Sequence, residues 1–123
     1  VVGGPVPVNV NFCLTATIEK EPEKVQAFTN AIWRAQTFIK KNTPDKILAS
    51  IERFVGSTSK DANLLEIGEL KDVSDWDGLI TAESYKRGEK VWYSDLTGIK
   101  QPIKMEDAVA DKFLKAAHAK YPA

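Results

Sequence analysis

The run EPEKVQAFTNAIWRAQTFIKKNTP, residues 21–44, carries its apolar side chains at Val25, Phe28, Ile32, Ala35 and Ile39. Spacings of three and four place them on one face of a helix, which Trp33 and Phe38 widen. Pro22 suits the first helical turn, where its missing N–H costs nothing, and Glu23 beside it complements the helix dipole. Lys40 and Lys41 close the far end with the matching charge, and Asn42 is a plausible stop.

Downstream, Thr43-Pro44-Asp45 restarts a helix, with Thr43 as N-cap and Pro44 at the first position. Its expected core face is Ile47, Leu48, Ile51, Phe54 and Val55, and Gly56 ends it. A turn follows at Ser57 to Ser59. Residues 60–71 read as a third helix through Leu64, Leu65, Ile67 and Leu70, interrupted by Gly68. Val73 to Ile80 is a loop around Trp76 and Gly78. Thr81 caps a fourth helix that ends at Gly98 and is expected to bury Tyr85, Val91, Trp92 and Leu96. After an irregular stretch around Pro102, Glu106 and Asp107 open a last helix with Val109, Phe113, Ala116 and Ala117 as its stripe. Lys115, His118 and Lys120 sit at the end that favours cations.

Upstream the period changes to two. Val8, Val10, Phe12 and Leu14 alternate with Asn9, Asn11 and Cys13, which predicts a strand over residues 8–16. Residues 1–7 hold two prolines and two glycines and read as a linker or hinge loop. The segment is therefore expected to be mainly α, with one N-terminal strand, about five helices and a helical region over 22–121. A lone strand has no partner for its backbone donors and acceptors, so it points to a sheet supplied by the remainder of a longer chain or by another copy.

With 123 residues the chain fits one domain, and 43% apolar with 28% charged residues allows a packed core. Seventeen basic and seventeen acidic residues leave no net charge, so nothing favours nucleic acid or an anionic membrane surface. No stretch approaches the roughly 18 apolar residues of a membrane span. No signal peptide is recognisable, and a start on Val1-Val2-Gly3-Gly4 is expected of a processed or truncated chain.

Catalytic constellations are sparse. The single cysteine, Cys13, permits no intrachain disulfide and reads as a small buried hydrophobe, since no Lys, Arg or His lies within six residues of it. The single histidine, His118, reads as a solvated residue at a helix C-terminus, with no second His or Cys to complete a zinc site or a nucleophile pair. Asp72, Asp75 and Asp77 lack the order of a calcium loop and read as a solvated turn. Lys86, Arg87 and Lys90 are balanced by Glu83 and Glu89, a solvated face. Trp33, Trp76 and Trp92 read as packing residues.

Three motifs in order, Glu21-Pro22-Glu23-x-Val25-x-x-Phe28, Ala31-x-x-x-Ala35 and Asn42-Thr43-Pro44, resemble the C-terminal region of the nitrate/sulfonate/taurine and thiamine-precursor solute-binding proteins of ABC transporters. Gly78-Leu79-Ile80-Thr81, Met105-Glu106-Asp107-Ala108-Val109 and Phe113-Leu114 continue the likeness, which covers about residues 8–121. The resemblance implies a parent α/β fold of the two-lobed, type II periplasmic-binding-protein kind. This segment would be its C-terminal part, with the second lobe and the first strand–helix units lying elsewhere. It implies a periplasmic or extracytoplasmic protein that captures a small solute, such as a sulfonate, nitrate or a thiamine precursor, and delivers it to an ABC permease. The related pyrimidine-precursor synthases use a cysteine-rich motif and a histidine donor that this segment lacks, so no enzyme is expected, and no catalytic residue, metal or cofactor. Asn9 and Asn11, polar on an otherwise apolar strand, are the expected ligand-binding residues, because solute sites combine apolar walls with a few placed polar groups. The alternative is a self-contained helical protein-interaction module.

Overall fold

A computed structural model describes residues 4, 6–7, 9–55, 59–74, 76–93 and 101–123. Among them are seven α-helices: α1 (Thr15–Lys20), α2 (Pro22–Lys41), α3 (Pro44–Ile51), α4 (Lys60–Val73), α5 (Ala82–Trp92), α6 (Met105–Ala108) and α7 (Lys112–Lys120). A 3-10 turn, Glu52–Phe54, tightens the end of α3. Val8, Gly56, Ser57, Asp75, Leu96 and Gly98, each given a place in the sequence reading, lie outside the described residues.

The protein is mainly α, and the expected strand over 8–16 is not formed. Residues 9–14 are irregular, and Thr15 and Ala16 already belong to α1, whose first turn hydrogen-bonds back to the Leu14 carbonyl. The physical reason is the one that made a lone strand suspect: no second strand is described to complete a ladder. The segment is irregular instead, leaving Val10, Phe12 and Leu14 exposed, Phe12 at 93%.

α2 has the boundaries read from sequence, with Pro22 at its start and Lys40 and Lys41 in its last turn. Its twenty residues span about 30 Å. The face it buries is rotated from the expected one about Trp33, which belongs to both. Gln26, Asn30, Trp33 and Thr37 turn towards α7, and Trp33 is buried. The Gln26 amide donates to Asn30 Oδ1 and to the Phe113 carbonyl, both at 2.9 Å. Trp33 Nε1 donates to the Tyr121 carbonyl at 2.7 Å. Polar side chains can occupy an interior face once their hydrogen bonds are made, and here α7 supplies the partners. Phe28 and Ala35 of the expected stripe are exposed, while Val25, Ile32 and Ile39 are half-buried. Phe28, Ala31, Ala35 and Phe38, at spacings three, four and three, form an uncovered apolar face roughly opposite the one on α7.

α3 packs on α4 through Ile47 and Leu48, with Asn63 of α4 also buried. Ile51 and Phe54, expected in that core, stay exposed because the helix ends at Ile51. Thr43 occupies the N-cap position of α3 in an extended conformation, but its side chain makes no cap bond. The cap of α5 is fuller: Thr81 Oγ1 accepts from Ser84 N–H and Ser84 Oγ accepts from Thr81 N–H, both at 3.1 Å. Val91 of the same helix, expected to be buried, is exposed. Two tyrosines hold the Ile103 peptide against α5. Tyr85 O–H donates to the Ile103 carbonyl, and Tyr93 O–H accepts from the Ile103 N–H, each at 2.9 Å. Burial pushes the Tyr85 phenol above its ordinary value of 10.0, and the neighbouring Tyr93 hydroxyl adds to the shift. The last helix is two pieces, because Val109 is extended (φ −116, ψ 115) and separates α6 from α7.

Two glycines on helices respond oppositely to an added methyl. Around Gly68 in α4 a Cβ would meet nothing within 4 Å, so Gly68→Ala is expected to stabilise by about 0.5–1 kcal/mol. A Cβ on buried Gly88 in α5 would lie 2.5 Å from the Trp92 ring, which packs edge-on against Tyr85 at 5.4 Å. Gly88→Ala must displace that ring and is expected to destabilise by about 1–3 kcal/mol. Urea unfolding of the two variants checks this pair, and shifts of the same sign would contradict the packing at Gly88.

The accessible surface totals 9463 Å². A compact folded monomer of 13.6 kDa exposes about 6,600 Å², so roughly 2,900 Å² is in surplus.

Candidate functional site

The residues expected to contact a solute, Asn9 and Asn11, are both exposed on the extended N-terminal segment. They line neither of the two depressions described below, and the structure brings no other expected site residue to them. Cys13, between Phe12 and Leu14, is exposed rather than buried, because the strand that would have hidden it does not form.

His118 is also placed differently from its solvated reading. It is half-buried, and its ring stacks on Trp33 with centroids 3.9 Å apart and planes at 38°. Its Nε2 is buried with no hydrogen-bond partner, as is Thr37 Oγ1. The cause is the docking of α7 on α2, which carries the last turn of α7 over the Trp33 ring. Trp76 Nε1 donates to the Lys71 carbonyl at 3.0 Å, and Trp92 packs on Tyr85, so all three tryptophans serve packing.

Of the three aspartates read as a solvated turn, Asp72 lies in the last turn of α4, Asp75 is outside the described residues, and Asp77 Oδ1 accepts from the Leu79 N–H at 2.7 Å. Among the described residues no group of three or more His, Cys, Asp or Glu is arranged to hold a metal ion. No helix is long and apolar enough to cross a membrane, among the same residues. On α5, Lys86 and Lys90 are exposed as read, but Arg87, which pairs with Glu83 across one turn at 2.5 Å, has a side chain only 18% exposed and is not part of a solvated face.

One depression of about 520 Å³ runs along α4 between Glu66, Glu69, Leu70, Asp72 and Val73. It is an open groove on a single helix. A second, of about 500 Å³, lies where the ends of α2 and α7 meet and is lined by Arg34, Thr37, Phe38, Lys41, Lys120 and Tyr121 among others. Its lining holds three cations and no carboxylate. The Arg34 guanidinium lies 5.5 Å from the centroid of the Tyr121 ring, and Lys120 Nζ lies 5.4 Å from the same ring. Asn42, also on the lining, donates its amide to the Phe38 carbonyl at 2.6 Å, and its own carbonyl accepts from Lys71 Nζ. The sequence reading missed this cluster. Lys40-Lys41 and Lys120-Tyr121 were visible as helix ends, but their meeting depends on Trp33 bonding a carbonyl 88 residues away.

No family model, no curated protein and no solved structure matches the chain.

Proposed function

We propose that this chain is the helix-rich C-terminal part of an extracytoplasmic solute-binding protein, the component of an ABC importer that captures a small molecule and passes it to a permease. The observation that supports the reading is the uncovered apolar face of α2, formed by Phe28, Ala31, Ala35 and Phe38. Together with exposed Val10, Phe12 and Leu14 it makes an apolar surface open to a covering partner. A two-lobed α/β parent of the type II kind would cover both: its first lobe would pack on α2, and its sheet would pair residues 8–14. Three of the motifs behind the resemblance fall at element boundaries, Glu21-Pro22-Glu23 at the start of α2, Asn42-Thr43-Pro44 at the start of α3 and Met105-Glu106-Asp107 at the start of α6, while Ala31-x-x-x-Ala35 and Phe113-Leu114 lie inside α2 and α7.

In this reading Asn9 and Asn11 approach the cleft from the returning chain and donate or accept hydrogen bonds to the solute. The first measurement is the mass of the natural gene product. A protein of roughly 300 residues fits the proposal, and a monomeric 123-residue product fits the self-contained module instead. The second is calorimetry of the longer protein with taurine, nitrate and a thiamine-precursor pyrimidine. Replacing Asn9 and Asn11 by Ala there is expected to weaken the bound solute two- to twelvefold, from a loss of about 0.5–1.5 kcal/mol. Unchanged affinity in a folded variant leaves these residues as scaffold.

A further inference from the structure

We propose that the depression between the ends of α2 and α7 binds a phosphate-type oxyanion, held by Arg34, Lys41 and Lys120. This proposal does not rest on the solute reading.

Three observations carry it. First, the charges are uncompensated: among the described residues none of the three cations makes a salt bridge, while Lys24, Arg87, Lys104 and Lys115 each do. In a chain with no net charge, three cations around about 500 Å³ without a lining carboxylate is a local segregation that attracts anions. Second, helix dipoles explain only part of it. Lys41 and Lys120 close α2 and α7, where cations complement the terminal carbonyls. Arg34 lies two turns further back in α2 and gains nothing from that end. Its guanidinium is instead held over Tyr121, on the same ring that Lys120 flanks. Third, Thr37 on the same lining keeps its hydroxyl oxygen without a partner, although a helical threonine commonly bonds the carbonyl one turn back, as Thr29 does to Val25 at 2.8 Å.

A planar guanidinium beside two mobile ammonium groups suits a tetrahedral dianion, since Arg recognises phosphate with paired N–H groups and Lys as a point charge. Phe38, 37% exposed on the rim, gives an organic substituent an apolar surface. The ligand class is therefore phosphate or a small phosphomonoester.

The Trp33 indole N–H, bonded to the Tyr121 carbonyl, reports on the site, and the Trp92 indole on α5 serves as the internal reference. Nitrogen–proton correlation spectra of the 123-residue chain are recorded during titration with inorganic phosphate, and separately with phenyl phosphate, at constant ionic strength set with sodium chloride. The expected result is a saturable shift of Trp33 with a Kd on the order of 1 mM for phosphate, tighter for phenyl phosphate, and a fixed Trp92. Equal affinity for the two probes would restrict the ligand to the free ion and still support the site. Arg34→Gln with Lys120→Gln is expected to weaken binding at least tenfold. Should that pair disturb the α2–α7 contact, exposed Lys41→Gln decides alone, with about threefold weakening expected. Parallel drift of Trp33 and Trp92, the same response to chloride alone, or undiminished binding by Lys41→Gln and the double variant would overturn the proposal.

Discussion

Trp33→Ala is expected to remove about 3–5 kcal/mol, a large share of the roughly 5–15 kcal/mol that holds a domain folded. Trp33 is 4% exposed and is the one large aromatic that α2 buries. Its ring carries the His118 imidazole, its N–H satisfies the Tyr121 carbonyl just beyond α7, and the α2–α7 contact closes around it beside Phe113 and Ala117. Truncation leaves a cavity, a carbonyl without its donor and a histidine without its platform. Urea unfolding followed by circular dichroism should show the cooperative transition lost or moved to low denaturant. Trp33→Phe separates the contributions: it keeps an aromatic ring and loses the hydrogen bond, for which about 0.5–1.5 kcal/mol is expected beyond the change in volume. A loss below 1 kcal/mol for Trp33→Ala would mean that α7 is not anchored on α2 in solution.

What the sequence made legible were helix ends. Glu21-Pro22-Glu23 and Lys40-Lys41-Asn42 bracket α2 at the residues observed, because proline geometry and dipole charges act within one turn. Thr81 capped α5 for the same reason, and its reciprocal bond with Ser84 is local. Which face of α2 turns inward was not legible. Apolar spacing named Phe28 and Ala35, but Gln26 and Asn30 are drawn towards α7 by a carbonyl 87 residues away in sequence. The break at Val109 has no local marker either, since Ala108-Val109-Ala110 contains neither proline nor glycine. Alternation over residues 8–14 reads as a strand in any context, yet a strand exists only with a neighbour, and none is found among the described residues. The expected site at Asn9 and Asn11 depended on that strand. The basic depression depended on tertiary contact between the two helix ends, which no local pattern announces.

The isolated chain is expected to self-associate. A specific protein–protein contact buries about 800 Å² per partner, and the surplus surface here is roughly 2,900 Å² beyond a compact monomer of the same mass. Phe12 at 93%, Leu14 at 76%, Phe28 at 53% and Val10 at 53% exposure supply apolar area of the kind that drives association. Residues 9–13 add irregular backbone that forms no ladder among the described residues. Sedimentation velocity at micromolar concentrations should therefore give a weight-average mass above 13.6 kDa that rises with loading. Phe12→Lys and Phe28→Lys test the cause. Both side chains are exposed, so neither change opens a cavity, and each places a charge where another copy would pack. Together they should shift the association at least tenfold to higher concentration while leaving the helical circular dichroism unchanged. The same two residues face the absent lobe under the proposed function, so in the longer protein their accessibility should fall: a cysteine placed at position 28 should react with a thiol reagent quickly in the 123-residue chain and slowly in the full-length protein. A cooperative monomer at all loadings, with position 28 equally reactive in both, would mean that the uncovered face of α2 is the native surface of a finished protein and that the solute-binding reading has lost its support.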